Sequence, residues 1–163
     1  MFQTLTLAYD RQEDRIIATT DINTPASWSC WLTRRLALTF LNRTAEYLAR
    51  TSPLAETAAT EHRGDLVEFE REAALERTAS ATARADDNAI NRNKASAELA
   101  VSMGMVDQGS GFRLELAGDR GGSASGELSR PLIQRILKAL ADECIRGEWA
   151  AAATGVATNP TQH

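Results

Sequence analysis

The feature that most constrains this chain is a pattern of three strands and a helix that occurs twice in one register. The segment LTRRL at residues 32–36 aligns without a gap with LSRPL at residues 128–132, 96 positions later. In each segment a leucine precedes a hydroxyl residue, Thr33 or Ser129, of the kind that caps a helix N-terminus. Because internal repeats decide the fold, the pattern predicts two units of the same topology.

The first predicted unit covers residues 2–51. Apolar and polar residues alternate on both sides of a polar turn at residues 10–14, as the two-residue strand period requires. Thr24 and Pro25 could begin a helix, but the alternation of Trp28 and Cys30 with serines favours a short third strand. The predicted elements are strands at residues 2–9, 15–20 and 27–32 and a helix at residues 34–50.

The second predicted unit covers residues 95–148. Its strands begin at residues 95, 112 and 123, and its helix follows Ser129. On the first of these strands one apolar face is predicted to contain Ala97, Leu99, Val101, Met103 and Met105. The expected equivalence places Leu5 and Leu7 of the first unit over Val101 and Met103.

The units are separated by a predicted helical insertion at residues 54–93. An acidic helical region is expected at residues 54–79, interrupted at Gly64, and a frayed helix and loop at residues 78–94. Residues 151–163 are expected to be a flexible tail, which leaves a single domain at residues 1–150.

These units predict the α+β class, with antiparallel sheets, helices packed on one face and a pseudo-two-fold relation between the halves. Two arrangements satisfy the pattern. The two sheets could pair edge to edge, with both helices on one face and a broad second face exposed. They could instead pack back to back, and the sequence favours neither arrangement.

Composition limits the environment and the partners. The net charge of −4 argues against non-specific binding to nucleic acid or to an anionic membrane. Cys30 and Cys144 form no CxxC pair, and the chain has neither a basic apolar leader nor a run of about 18 apolar residues. A cytoplasmic protein with no membrane partner is therefore expected. Arginine outnumbers lysine and alanine is abundant, which is typical of a GC-rich bacterial or phage genome.

No motif for catalysis, metal binding or phosphate binding is present, so no catalytic residue, metal or cofactor is predicted. His62 beside Glu61 is interpreted as part of a solvated helix face, because a metal site needs three or four converging ligands. The candidate binding residues are aromatic and arginine side chains, which are enriched at interface hot spots. They are Trp28, Trp31, Arg34, Arg35 and Trp149. Trp28 and Trp31 would point to opposite faces of a strand, so one of them is expected to be exposed.

The favoured function is a non-enzymatic protein-interaction module, such as an adaptor, a chaperone-like factor or an assembly subunit. Its partner would be another protein or a second copy of the chain. The acidic helix could also present a negative surface to a basic partner. One alternative is a single-stranded nucleic-acid binder, because the doubled layout is similar in outline to the PUR and Whirly-type folds, whose units carry four strands rather than three. A small enzyme without a recognisable motif is a further alternative.

Overall fold

A computed structural model describes residues 1–79 and 86–149. It contains six strands and four α-helices, so the predicted α+β class is confirmed. In chain order they are β1 (Leu5–Asp10), β2 (Arg15–Thr20), β3 (Trp28–Leu32), α1 (Arg34–Arg50), α2 (Arg63–Arg77), α3 (Asp87–Lys94), β4 (Glu98–Asp107), β5 (Phe112–Gly118), β6 (Ser123–Leu128) and α4 (Arg130–Arg146). A 3₁₀ turn at Thr60–His62 precedes α2. The tail predicted at residues 151–163 lies outside the described residues.

The six strands form one sheet in sequence order. Neighbouring strands are antiparallel except β3 and β4, which pair in parallel through Cys30 with Glu98 and Trp31 with Leu99. Of the two arrangements that the sequence left open, the structure has the edge-to-edge one, and the parallel pairing of β3 with β4 makes the joined sheet mixed rather than wholly antiparallel. The parallel pairing requires a long connection between the two strands, and here α1 follows β3 and β4 begins at the end of the sheet where β3 begins.

The sheet curves so far that its two edge strands approach each other. Five strand spacings would separate β1 from β6 by about 24 Å in a flat sheet. Phe2 lies only three residues before β1, yet its backbone N–H donates to the carbonyl of Ser125 in β6 at 2.8 Å. The ring of Phe2 lies against Gly126, where a Cβ atom would come within 2.5 Å of it. The inner face thus encloses the core, and Phe2 fills the space left by glycine.

The main core lies between the inner face of the sheet and the helices α1 and α4. All six strands contribute to this core, and its most deeply buried members include Ile16, Leu32, Leu41, Leu114, Ile133 and Leu140. Each helix also packs against the first strand of the other half: α1 against β4, and α4 against β1. Apolar residues at helical spacing on α1 and α4 therefore find apolar strand faces opposite them.

Both of these helices contain 17 residues, and both their starts and their ends lie 96 positions apart. Thr33 accepts a hydrogen bond from the Leu36 N–H at 3.3 Å, and Ser129 accepts one from the Leu132 N–H at 3.4 Å. The two predicted helix caps are thus confirmed. The pseudo-two-fold relation between the halves stays a prediction.

Strand β4 departs from the predicted alternation. An irregularity between Ala100 and Ser102 displaces the register with β5, so that Ala100 and Met103 are buried and Val101 is 60 % exposed. A bulge of this kind adds one residue to one strand and reverses the direction of the side chains before it. The predicted shared face of Val101 and Met103 is therefore wrong.

The described part of the inserted segment contains two α-helices, which lie on opposite sides of the molecule. α2 packs against α4, whereas α3 packs against β2 and β3 on the outer face of the sheet. The predicted helix at residues 54–79 is shorter in the structure: residues 54–59 are not helical, and α2 begins at Arg63, so Gly64 lies in the first turn of the helix rather than interrupting it. The loop predicted within residues 78–94 is also wrong over residues 87–94, which form α3, and Asp86 caps this helix by accepting from the Asn88 N–H. The part of that prediction at residues 80–85 lies outside the described residues. In the described part of the chain, none of the helices has the length and apolar character needed to span a membrane.

Candidate functional site

Trp28 lies at the start of β3 and is half-buried on the inner face. Its indole N–H donates to Glu98 Oε1 at 3.1 Å. The other Glu98 oxygen accepts from the backbone N–H groups of Arg120 at 2.8 Å and Gly122 at 3.2 Å. The hydrogen bond from Trp28, supported by these N–H groups, lowers the pKa of Glu98. Trp28 thus ties β3 to the β5–β6 turn, and one side of the indole lines an open cleft beside Phe2.

Trp31 points to the opposite face of β3 and is only 9 % exposed. The outer face here is also buried at Ile17, and Thr19 and Ser29 are hydrogen-bonded to each other at 2.9 Å. The cover on this side is α3, which packs against β2 and β3. The expectation that one of the two indoles is exposed is therefore wrong, because the sequence did not reveal the covering helix.

Arg34 and Trp149 come together at the tip of the β1–β2 hairpin. The indole N–H of Trp149 donates to Asp14 Oδ1 at 3.0 Å, and the Tyr9 hydroxyl donates to the same oxygen at 2.9 Å. Arg34 pairs with the other oxygen of Asp14 at 3.4 Å, and its guanidinium lies 5.5 Å from the centre of the Trp149 ring. Trp149 is 3 % exposed and meets Tyr9 edge to face. This cluster anchors the chain after α4 and offers little free aromatic surface.

The predicted binding residues therefore do not form one surface. Arg35 is exposed beside the partly exposed Arg34, but Trp31 and Trp149 are buried and Trp28 is half-buried. No three His, Cys, Asp or Glu side chains in residues 1–79 and 86–149 are grouped so as to hold a metal ion. Burial raises the pKa of the Cys30 thiol to about 12 and that of Cys144 to about 11, which keeps both thiols protonated at neutral pH.

Helix α2 carries an exposed surface, whose acidic character was predicted from the sequence but whose exposed aromatic residue was not. Asp65, Phe69, Glu72 and Glu76 are spaced four, three and four residues apart, so they form one stripe along the helix. All four are exposed, and Phe69 is 61 % exposed. We call these four residues the α2 stripe. Within the described residues, no ion pair engages the three carboxylates of the α2 stripe.

The net charge of the chain is concentrated around the α2 stripe. Residues 54–79 carry a net charge of −4, which equals that of the whole chain, so the rest of the sequence sums to zero. The acidic residues are Glu56, Glu61, Asp65, Glu68, Glu70, Glu72 and Glu76, and the basic ones are Arg63, Arg71 and Arg77. The acidic helical region was predicted. The exposure of Phe69 was not, because the spacing of Leu66, Phe69 and Ala73 predicts a thin apolar stripe on the helix, and Phe69 on that stripe is exposed.

Stability is expected to fall when the pH drops below about 4. Hydrogen bonds from Trp149 and Tyr9 lower the pKa of Asp14, and a hydrogen bond from Tyr47 lowers that of Asp107. A carboxyl group whose pKa is lower in the folded state stabilises the fold above its unfolded-state pKa. That contribution is lost as the pH falls through the folded-state pKa.

Urea midpoints measured between pH 7 and pH 3 test this expectation. In the Asp14→Asn variant the amide keeps an oxygen acceptor and tolerates the φ of 47° at this position, but it cannot titrate. The variant should therefore lose less stability than the wild-type protein as the pH falls below about 4. An identical pH profile in the two proteins would contradict a role for Asp14.

No protein family, curated protein or solved structure matches this chain.

Proposed function

We propose that this protein is a non-enzymatic protein-interaction module whose α2 stripe binds a basic, amphipathic segment of another protein. The observation that carries the proposal is the exposed Phe69 between three exposed carboxylates, which form no ion pair with any other residue that the structure describes. An aromatic ring surrounded by charge is suited to serve as the buried anchor of an interface with a charged rim. A partner with apolar residues flanked by lysine or arginine would complement this pattern.

The way α2 is attached leaves this face free. Arg130 of α4 pairs with Glu70, and Arg135 of α4 donates to the carbonyl of Leu75 and to the hydroxyl of Thr78. The side of α2 that faces α4 is thus held by arginine contacts and by the buried Ala74. The acidic stripe points away from these contacts. Its charge disfavours a nucleic-acid partner, whose phosphates require a basic surface.

We also propose that the protein is built from two equivalent units related by a pseudo-two-fold axis. The equal lengths and the 96-residue offset of α1 and α4 support this organisation. The exchange of contacts, α1 with β4 and α4 with β1, supports it as well. In this organisation α2 and α3 belong to neither unit and are additions to a common framework.

Replacing Phe69 with alanine is expected to weaken partner binding at least about tenfold, because truncating a hot-spot residue typically costs about 2 kcal/mol or more. The tagged full-length protein would be used to purify partners from the host, with quantitative mass spectrometry as the readout. Alanine has a higher helix propensity than phenylalanine, so α2 should stay folded in this variant. The Glu72→Lys/Glu76→Lys double variant should lose the same partner. Added salt should weaken the binding of that partner to the wild-type protein.

The matched controls are Val106→Ala and Glu127→Lys, which alter exposed residues of the sheet rather than of α2. Both control proteins should retain the partner. Retention of every partner by Phe69→Ala and by the double reversal would refute the assignment of the α2 stripe. Loss of a partner only in the control variants would move the interface to the sheet.

A further inference from the structure

Helix α3 covers an apolar part of the outer sheet face that would otherwise be exposed. The buried sheet residues on this side are Ile17, Thr19, Ser29 and Trp31. The inward side of α3 carries Ala89, which is 1 % exposed, and the half-buried residues Ile90, Asn93 and Lys94. A large tryptophan and an isoleucine are therefore covered by a helix whose only fully buried side chain is an alanine.

The remaining contacts of α3 are polar and lie around its edge. Lys94 Nζ pairs with Asp10 Oδ2 at 2.5 Å, and Arg92 donates to the Asn23 side chain at 3.2 Å. The Ser27 hydroxyl donates to Asn93 Oδ1, also at 3.2 Å. Water can replace the partners in the two hydrogen bonds when the helix moves away. The Asp10 side chain is only 10 % exposed, so its pair with Lys94 is the strongest edge contact, but Asp10 keeps the hydrogen bond from the Glu13 N–H after opening.

The helix itself has little intrinsic stability. It contains eight residues, of which Asn88, Asn91 and Asn93 are poor helix formers. Isolated helices shorter than about 12–15 residues are marginal in water, so α3 depends on the sheet for its structure. The sheet, in contrast, does not depend on α3 for its structure. The inner faces of β2 and β3 carry Ile16, Ala18, Cys30 and Leu32, all fully buried in the main core.

We propose that α3 is a displaceable cover, which opens as a unit and exposes Ile17 and Trp31 while the six-stranded sheet and its inner core stay folded. Elements with few buried apolar contacts and solvent-exposed edges open at lower free energy than the core they cover. The opening leaves the indole of Trp31 in contact with water. It is independent of the α2 stripe, and neither proposal depends on the other.

Native-state hydrogen exchange on the unmodified full-length protein tests the proposal. The amides of Ala89, Ile90 and their neighbours in α3 should exchange at least about 100-fold faster, relative to their intrinsic rates, than those of β2 and β3. Low concentrations of urea should raise the exchange rates of the α3 amides by a common factor that is smaller than the factor for β2 and β3, because opening of α3 exposes less surface than global unfolding. Exchange of α3 with the same protection and urea dependence as β2 would overturn the proposal, since α3 would then open only when the whole domain unfolds.

A variant that opens the cover gives a second readout. In a Trp28→Phe/Trp149→Phe background, Trp31 is the only tryptophan, so quenching by acrylamide reports its exposure alone. Adding Ala89→Glu places a charge beneath α3 and should increase the quenching constant several-fold, while unfolding in urea stays cooperative. Asn91→Glu is the matched control on the exposed side of α3 and should leave quenching unchanged. Loss of cooperative folding in the Ala89→Glu protein, or quenching equal to the control, would overturn the proposal.

Discussion

The Arg130→Ala variant is expected to be less stable than the wild-type protein by about 3 kcal/mol, because it leaves a largely buried carboxylate without its partner. The guanidinium of Arg130 pairs with Glu70, whose side chain is 13 % exposed. It also donates to the Leu48 carbonyl at 2.6 Å and to the Thr51 hydroxyl at 3.2 Å. The other oxygen of Glu70 accepts from the hydroxyl of the fully buried Ser52. One arginine thus joins the start of α4, the end of α1 and the middle of α2.

The chain supplies a matched control 96 positions earlier. Arg34 occupies the first position of α1, as Arg130 does in α4. It pairs with Asp14 at 3.4 Å, and both side chains are more than half exposed. Exposed ion pairs contribute about 0–1 kcal/mol, so Arg34→Ala should change stability by no more than that.

Chemical denaturation of the two variants under identical conditions measures the difference. A similar small loss in both would show that Glu70 finds water or another donor when Arg130 is removed. A Glu70→Gln variant keeps the shape of the side chain and its acceptor oxygen but removes the charge. It should therefore lose less stability than Arg130→Ala, because no unpaired charge is left behind.

Local patterns in the sequence were sufficient to predict the regular elements of the main core. Strand β2 at Arg15–Thr20 and helix α1 at Arg34–Arg50 lie where they were predicted. Their apolar periodicity and their caps act over a few residues, and such signals can be read without the rest of the fold. The N-cap at Ser129 succeeded for the same reason. These elements also bury the most deeply packed side chains, so local preference and tertiary packing agree.

Features that depend on distant contacts were not predictable in this way. The bulge after Ala100 changes which β4 residues face the core, and a single strand carries no signal of the partner register that produces it. Helix α3 has a polar composition and is stabilised by the sheet beneath it, so its sequence resembled a loop. Its capping residue, Asp86, was the available signal. Ala89 and Ile90 lie three and four residues after Asp86, and together with that cap they form the pattern of a helix N-terminus followed by apolar residues.

The prediction of the binding residues was the least accurate, because exposure of a side chain depends on contacts between distant parts of the chain. Tryptophan and arginine in one segment indicate an interface only when the aromatic rings are accessible. Trp31 is covered by α3, and Trp149 is enclosed by Tyr9 and the hairpin tip. Phe69, in contrast, is exposed because α2 is held against α4 by arginine contacts. Composition identified the acidic helix, but only the orientation of α2 distinguishes its free stripe from its attached side.

The Trp31→Ala variant is expected to be destabilised by about 3–5 kcal/mol, as is typical when a buried aromatic side chain is truncated to alanine. Trp31 is 9 % exposed, and it lies between β3 and the cover formed by α3. Truncation would leave a cavity on the outer face and remove apolar surface from beneath α3. Trp28→Ala should cost less, because Trp28 is only half-buried and faces an open cleft on one side. Urea denaturation of both variants, followed by circular dichroism, gives the comparison.

The relative size of these two losses decides how binding data on the tryptophans can be interpreted. If Trp31→Ala is destabilised as expected, loss of a partner in that variant reports unfolding as much as loss of contact. Trp31→Phe is the better probe, because it keeps most of the buried apolar area and removes the indole N–H. Equal stability losses in Trp28→Ala and Trp31→Ala would contradict the burial of Trp31 by α3. A partner lost in Trp31→Phe while stability is retained would place the interface beneath the cover.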